Sequence, residues 1–136
     1  MALYECIGGN AEWEDISSSV QLYQGITARN ILAYRYKISN NVYYLNLKAD
    51  VDISNPSSAD ILHIDGYKTC FRDDSQSNFG VERPYLWLRD SSNNDVWGSG
   101  YLSNVNSNNQ KAVNFAVNNI NNYKRAYVSI ETFITT

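Results

Sequence analysis

Residues 41–54, NVYYLNLKADVDIS, alternate in character without a break. Tyr43, Leu45, Leu47, Ala49, Val51 and Ile53 are apolar or aromatic, while Tyr44, Asn46, Lys48, Asp50 and Asp52 fall between them. Successive side chains of an extended chain project to opposite faces, whereas a helix repeats every ~3.6 residues. The segment therefore predicts a long strand with one buried face. Its forerunner ILAYRYKIS places Tyr34, Tyr36 and Ile38 opposite Arg35 and Lys37. Asn40 and Asn41 then supply residues that tolerate the left-handed backbone of a tight turn. Residues 31–54 read as a β-hairpin.

The same alternation recurs downstream. After the loop-forming SNPSS, residues 59–65 predict a shorter strand, with Leu62 and Ile64 opposite Ile61 and His63, ended by Asp65-Gly66. RDDSQSNFGVERP has no periodicity and predicts a long exposed loop. In PYLWLRDSSNNDVWGSGYL, residues 84–102, Tyr85, Trp87 and Arg89 alternate with Leu86 and Leu88, DSSNND makes a turn, and VWGSGYL is expected to return as the second arm of a hairpin. Val113, Phe115 and Val117 then alternate with Ala112, Asn114 and Ala116. In the final strand Ala126, Val128 and Ile130 alternate with Tyr127, Ser129 and Glu131. Residues 11–26 are ambiguous: Trp13, Ile16, Val20 and Tyr23 have helical spacing, yet the SSS run opposes a helix. Short β segments at intervals of about 10 residues predict an all-β chain, an antiparallel sandwich or barrel of jelly-roll type. No linker or repeat divides residues 1–136, which are expected to form one domain.

Composition removes several function classes. The net charge of −3, from 11 basic and 14 acidic side chains, offers no cationic excess for phosphates, so nucleic acid is not expected as a partner. No apolar run approaches the roughly 20 residues of a membrane helix, and the first residues lack the pattern of a signal peptide. Membrane insertion is not expected. Cys6 and Cys70 stand far apart without CxxC spacing, and a single histidine leaves too few ligands for zinc. The two thiols are read as reduced, small apolar residues rather than a disulfide.

Catalytic signals are sparse. His63 and Asp65 share a strand face and could orient a base, but no G-x-S-x-G elbow supplies a nucleophile, and a structural histidine is the preferred reading. Asp73 and Asp74, and Asp90 and Asp95, present hard oxygen ligands for calcium without EF-hand spacing, and aspartates in turns commonly cap their own backbone. Asp73 or Asp90 with Glu82 is the one conceivable carboxylate pair for glycoside hydrolysis. With no phosphate loop, dinucleotide fingerprint or metalloprotease motif, no enzyme and no cofactor are expected.

The aromatic side chains are the remaining signal. If Leu86 and Leu88 face the core, Tyr85, Trp87 and Arg89 point outward, where a flat ring beside a guanidinium suits the C–H face and hydroxyls of a sugar. The same side chains suit a subunit interface. With the faces reversed, the rings are core and the leucines lie beneath a loop or another subunit. The expected ligand-binding set is Tyr85, Trp87, Arg89 and Trp97 with Asp90.

WEDIS followed by ILAYRYKISNNVYYLNLKADVDIS, ILHIDGYK and a closing YVSIETFIT resembles the C-terminal receptor-binding (head) domains of bacteriophage tail fibres and baseplate proteins. Gly66-Tyr67-Lys68 continues into Thr69-Cys70 where those domains often have Arg-Pro. The resemblance implies a homotrimeric β-sandwich or barrel on a virion, made in the host cytoplasm, that binds bacterial surface saccharide and other tail or virion proteins. The alternative is a structural or assembly subunit of the virion, such as a decoration or tail-fitting protein, whose outward rings meet another protein chain.

Overall fold

The computed structural model describes residues 12–70, 84–107 and 110–136. The described residues form strands β1 (Trp13–Asp15), β2 (Val20–Leu22), β3 (Ile26–Ser39), β4 (Val42–Ile53), β5 (Asp60–Asp65) and β6 (Lys68–Thr69). They continue through β7 (Tyr85–Asp90), β8 (Asp95–Val96), β9 (Gly100–Ser107), β10 (Gln110–Val117) and β11 (Tyr123–Thr135). All the pairings between them are antiparallel.

The strands make two sheets. The larger runs β1-β3-β4-β11-β7-β8, with β6 also paired to β11, and the smaller runs β2-β5-β10-β9. Because β4 lies along β11 from Arg125 to Thr135, β6 and β7 share its other edge end to end, at Ile134–Thr135 and Tyr123–Ser129. The alternation of β4 has its expected consequence: Leu45, Leu47, Ala49, Val51 and Ile53 are all buried. They meet Ala126, Val128, Ile130 and Ile134 of β11 and Leu88 of β7 in one cluster with Leu62, Ile64, Leu102, Val113, Phe115 and Val117 of the smaller sheet. This is the interior of an all-β sandwich, one of the two architectures that the sequence predicts.

Turn chemistry fixes the register. Ser39 pairs with Val42, so the β3–β4 hairpin turns through Asn40 and Asn41, and only Asn41 takes the left-handed conformation, at φ 68°. Asn55, Asn93 and Asn119 do the same at φ 49°, 66° and 57°, which accounts for the asparagine richness of the turns. Gly66, at φ 91°, ends the β5 segment where Asp65-Gly66 predicts a turn.

Some expectations are refined or corrected. Residues 11–26 are neither one strand nor one helix: β1, a 3-10 turn at Ser17–Ser19 and β2 follow in succession, and β1 and β2 belong to different sheets. VWGSGYL does not return as a single hairpin arm. Asp95 and Val96 pair with β7, after which the chain crosses to the smaller sheet and Gly100 pairs with Val117. Two glycines in the segment allow that crossing, and sequence alternation alone cannot show a change of sheet. Ile61 is buried along with Leu62 and Ile64, because the β5–β10 register shifts beside Phe115 and Ala116. The excursion at 71–83 and Cys6 lie outside the described residues, and with them any Cys6–Cys70 pairing; Cys70 is exposed.

Candidate functional site

The register of the larger sheet settles which way the rings of β7 point. Leu88 is 1% exposed and Leu86 packs against the core, so Tyr85, Trp87 and Arg89 lie on the opposite, open face. The reversed arrangement, with Tyr85 and Trp87 as core, is excluded. Across the ladder Tyr85 stands opposite Ser129, Trp87 opposite Tyr127, and Arg89 opposite Arg125 on one side and Asp95 on the other.

Each of these side chains has a local partner. Tyr85 meets Tyr127 edge-on with ring centroids 6.4 Å apart. The guanidinium carbons of Arg89 and Arg125 lie 4.8 and 5.4 Å from the centroid of Trp87, within cation–π range. Arg125 binds Asp50 through two hydrogen bonds of 3.0 and 2.8 Å, which hold the Asp50 carboxyl below the usual carboxylate range. Arg89 stands 3.6 Å from Asp95. Trp87 is thereby fixed over two cations, while Tyr85 remains 65% exposed.

Asp90 and Trp97 come together at a second place, beyond the end of β7. Asp90 Oδ1 accepts from the backbone N–H groups of Ser92 and Asn94, each at 2.9 Å, so this carboxylate caps its own turn. Trp97 follows β8, where Tyr123 Oη donates to its carbonyl at 3.5 Å. Its side chain is 99% exposed. Beside it Asp90, Ser91, Asn121, Asn122 and Tyr123 border an open groove of about 460 Å3. The groove thus sets one bare indole beside hydroxyl, amide and carboxylate groups. Asn121 and Asn122 were legible in the sequence only as turn formers; their place beside Trp97 comes from the turn between β10 and β11 lying against the β7–β8 end.

The remaining sequence candidates fall elsewhere. His63 Nδ1 is 2.6 Å from Asp65 Oδ1, and its ring lies 5.0 Å from that of Tyr23, on the face of the smaller sheet turned away from the core. The described residues hold no group of three side chains able to ligate a metal ion, and Asp73, Asp74 and Glu82 lie outside them. No family model, curated protein or solved structure matches the chain.

Proposed function

We propose that the chain is a non-enzymatic recognition module that binds bacterial cell-surface saccharide, with Trp97 as its stacking platform. The observation that carries this reading is the near-complete exposure of that indole beside a groove of hydrogen-bonding side chains. Burying a large aromatic side chain is worth about 1.5–3 kcal/mol, so a fold that leaves one bare forgoes stability that a ligand can recover. Sugar rings present C–H faces to an indole and hydroxyls to Asn121, Asn122, Ser91 and Asp90. Trp87 and Arg89 have a supporting part in this reading, since Arg125 and Asp95 already engage them. The phage tail or baseplate setting, the homotrimer and the virion location come from the family resemblance and belong to the same proposal.

A glycan array and a pull-down on intact bacterial cells test it. Trp97→Ala is expected to abolish binding without lowering Tm, because the side chain contacts little that the fold needs. Undiminished binding by that variant overturns the assignment. A second reading, an assembly subunit of the virion, draws on the same exposed indole, because tryptophan is also a preferred anchor of protein interfaces. Stable association with another virion protein, lost in Trp97→Ala and accompanied by no saccharide affinity, selects that reading.

A further inference from the structure

A second depression, of about 370 Å3, lies on the open face of the larger sheet toward its β1 edge. Trp13, Leu32, Tyr34, Asn46 and Lys48 line it. The register gathers them: Tyr34 stands opposite Asn46 and Leu32 opposite Lys48 on β3 and β4, and Trp13 joins from β1. Leu32 is 41% exposed, an uncovered aliphatic wall facing the same side as two rings. The depression is separate from the Trp97 groove. Between β3 and β7 lie β4 and β11, three strand spacings or on the order of 14 Å.

The charge within it is unbalanced. Lys48 is the one charged side chain of the lining, and like the other described lysines it contacts no carboxylate among the described residues, whereas each of the four described arginines does, at 2.8 to 3.6 Å. Of the acids that the register brings nearest, Asp50 is paired with a cation, Glu131 and Asp15 lie beside neutral groups that leave their charge in place, and none of the three lines the depression. Asp50, two positions along the same face, takes both its hydrogen bonds from Arg125. Glu131, opposite Asn46, lies beside the phenol of Tyr44 and helps hold its proton. Asp15, opposite Tyr34, accepts the backbone N–H of Ser17 at 2.9 Å. An ammonium with no ion-pair partner among the described residues, an amide and three apolar walls complement a compact anion that has an apolar side.

We propose that this depression is a second binding site, for a carboxylate-bearing sugar. The C–H face of the pyranose packs on Trp13, Tyr34 and Leu32, its carboxylate meets Lys48 Nζ, and a hydroxyl meets the Asn46 amide. The choice of a sugar rests on the recognition role proposed above; the choice of a negative charge rests on Lys48, the one charged side chain of the lining. The depression has room for a single small ring, in the range of ordinary ligand pockets.

Titration by protein NMR with methyl glucuronide, methyl glucoside and benzoate tests it, read at the Trp13 indole N–H. Glucuronide is expected to bind on the order of tenfold more tightly than glucoside, the worth of one charge-assisted hydrogen bond. Lys48→Gln, at an exposed position that leaves Tm unchanged, reduces glucuronide to the affinity of glucoside. Trp97→Ala leaves the titration as it was, so failure of the first site and failure of this one are told apart. Equal affinity for glucuronide and glucoside, or no effect of Lys48→Gln, overturns the proposal. Benzoate binding as tightly as glucuronide replaces the sugar with a general aromatic carboxylate. Self-association that Leu32→Asp abolishes, seen by sedimentation, assigns the face to a second copy of the chain instead.

Discussion

Asn114 is an amide with 1% of its surface exposed, set in a strand where its neighbours are valine, alanine and phenylalanine. A buried amide is tolerable only when its hydrogen bonds are made. Tyr23 Oη donates to Asn114 Oδ1, and Asn114 Nδ2 donates to Asp60 Oδ1 at 2.8 Å, so one residue ties β10 to β5 and to the chain just after β2. Replacing Asn114 with leucine is expected to cost about 1–3 kcal/mol in urea unfolding, because Tyr23 and Asp60 lose their partner. The same cluster sets an alkaline limit. Burial, then the charges of Asp60 and Asp65, push the Tyr23 phenol from 10.0 up to about 12. The native state therefore keeps a proton that the unfolded chain releases, and stability falls as pH rises from the ordinary phenol value toward about 12. Urea midpoints followed through that window are expected to decline less steeply in Tyr23→Phe. The sequence announces Asn114 only as a residue facing away from Val113 and Phe115; that it is buried there too comes from Tyr23 and Asp60, which the fold brings onto it from other segments.

At the level of single elements, the legible parts were those governed by neighbours along the chain. The two arms of the β3–β4 hairpin, its asparagine turn and the outward-facing set on β11 follow from alternation and turn chemistry. The path from β8 to β9 does not, because leaving one sheet for another depends on what the next strand meets. Gly100 marks the arrival point. A Cβ there would stand 2.7 Å from the Phe115 ring and 2.8 Å from the Ala116 carbonyl, closer than packed atoms approach. Gly100→Ala is accordingly expected to destabilise the fold by about 1–3 kcal/mol through forced displacement of β9 from β10, measured by chemical denaturation. A variant as stable as the parent would mean that the Phe115 ring can move aside, and the tight β9–β10 contact would not be the reason for glycine. Trp97, three residues earlier, owes its exposure to the same crossing: it lies between the last pair with β7 and the first pair with β10.

For the molecule as a whole, the two sheets are held by one apolar layer, and Phe115 is among its largest fully buried side chains. Phe115→Ala is expected to cost about 3–5 kcal/mol and to lower Tm cooperatively, since the cavity opens between sheets and cannot close without moving both. The open face of the larger sheet is a different kind of surface. It carries Trp13 beside Tyr36, Tyr44 beside Phe133 and Tyr85 beside Tyr127, ring against ring across strands far apart in sequence. The two proposed sites sit at opposite ends of this architecture, one on a loop crossing and one on the strand surface. What the sequence determined by itself was the extended character of the strands, which side chains share a face, and where the chain turns, because each depends on residues one to three positions apart. Only the tertiary structure decided that Tyr85 and Trp87 look outward, that Asn121 and Asn122 lie beside Trp97, and that Trp13, Tyr34 and Lys48 share one depression. Those outcomes depend on strand order and register, which are set by pairing between segments tens of residues apart and leave no mark on local alternation.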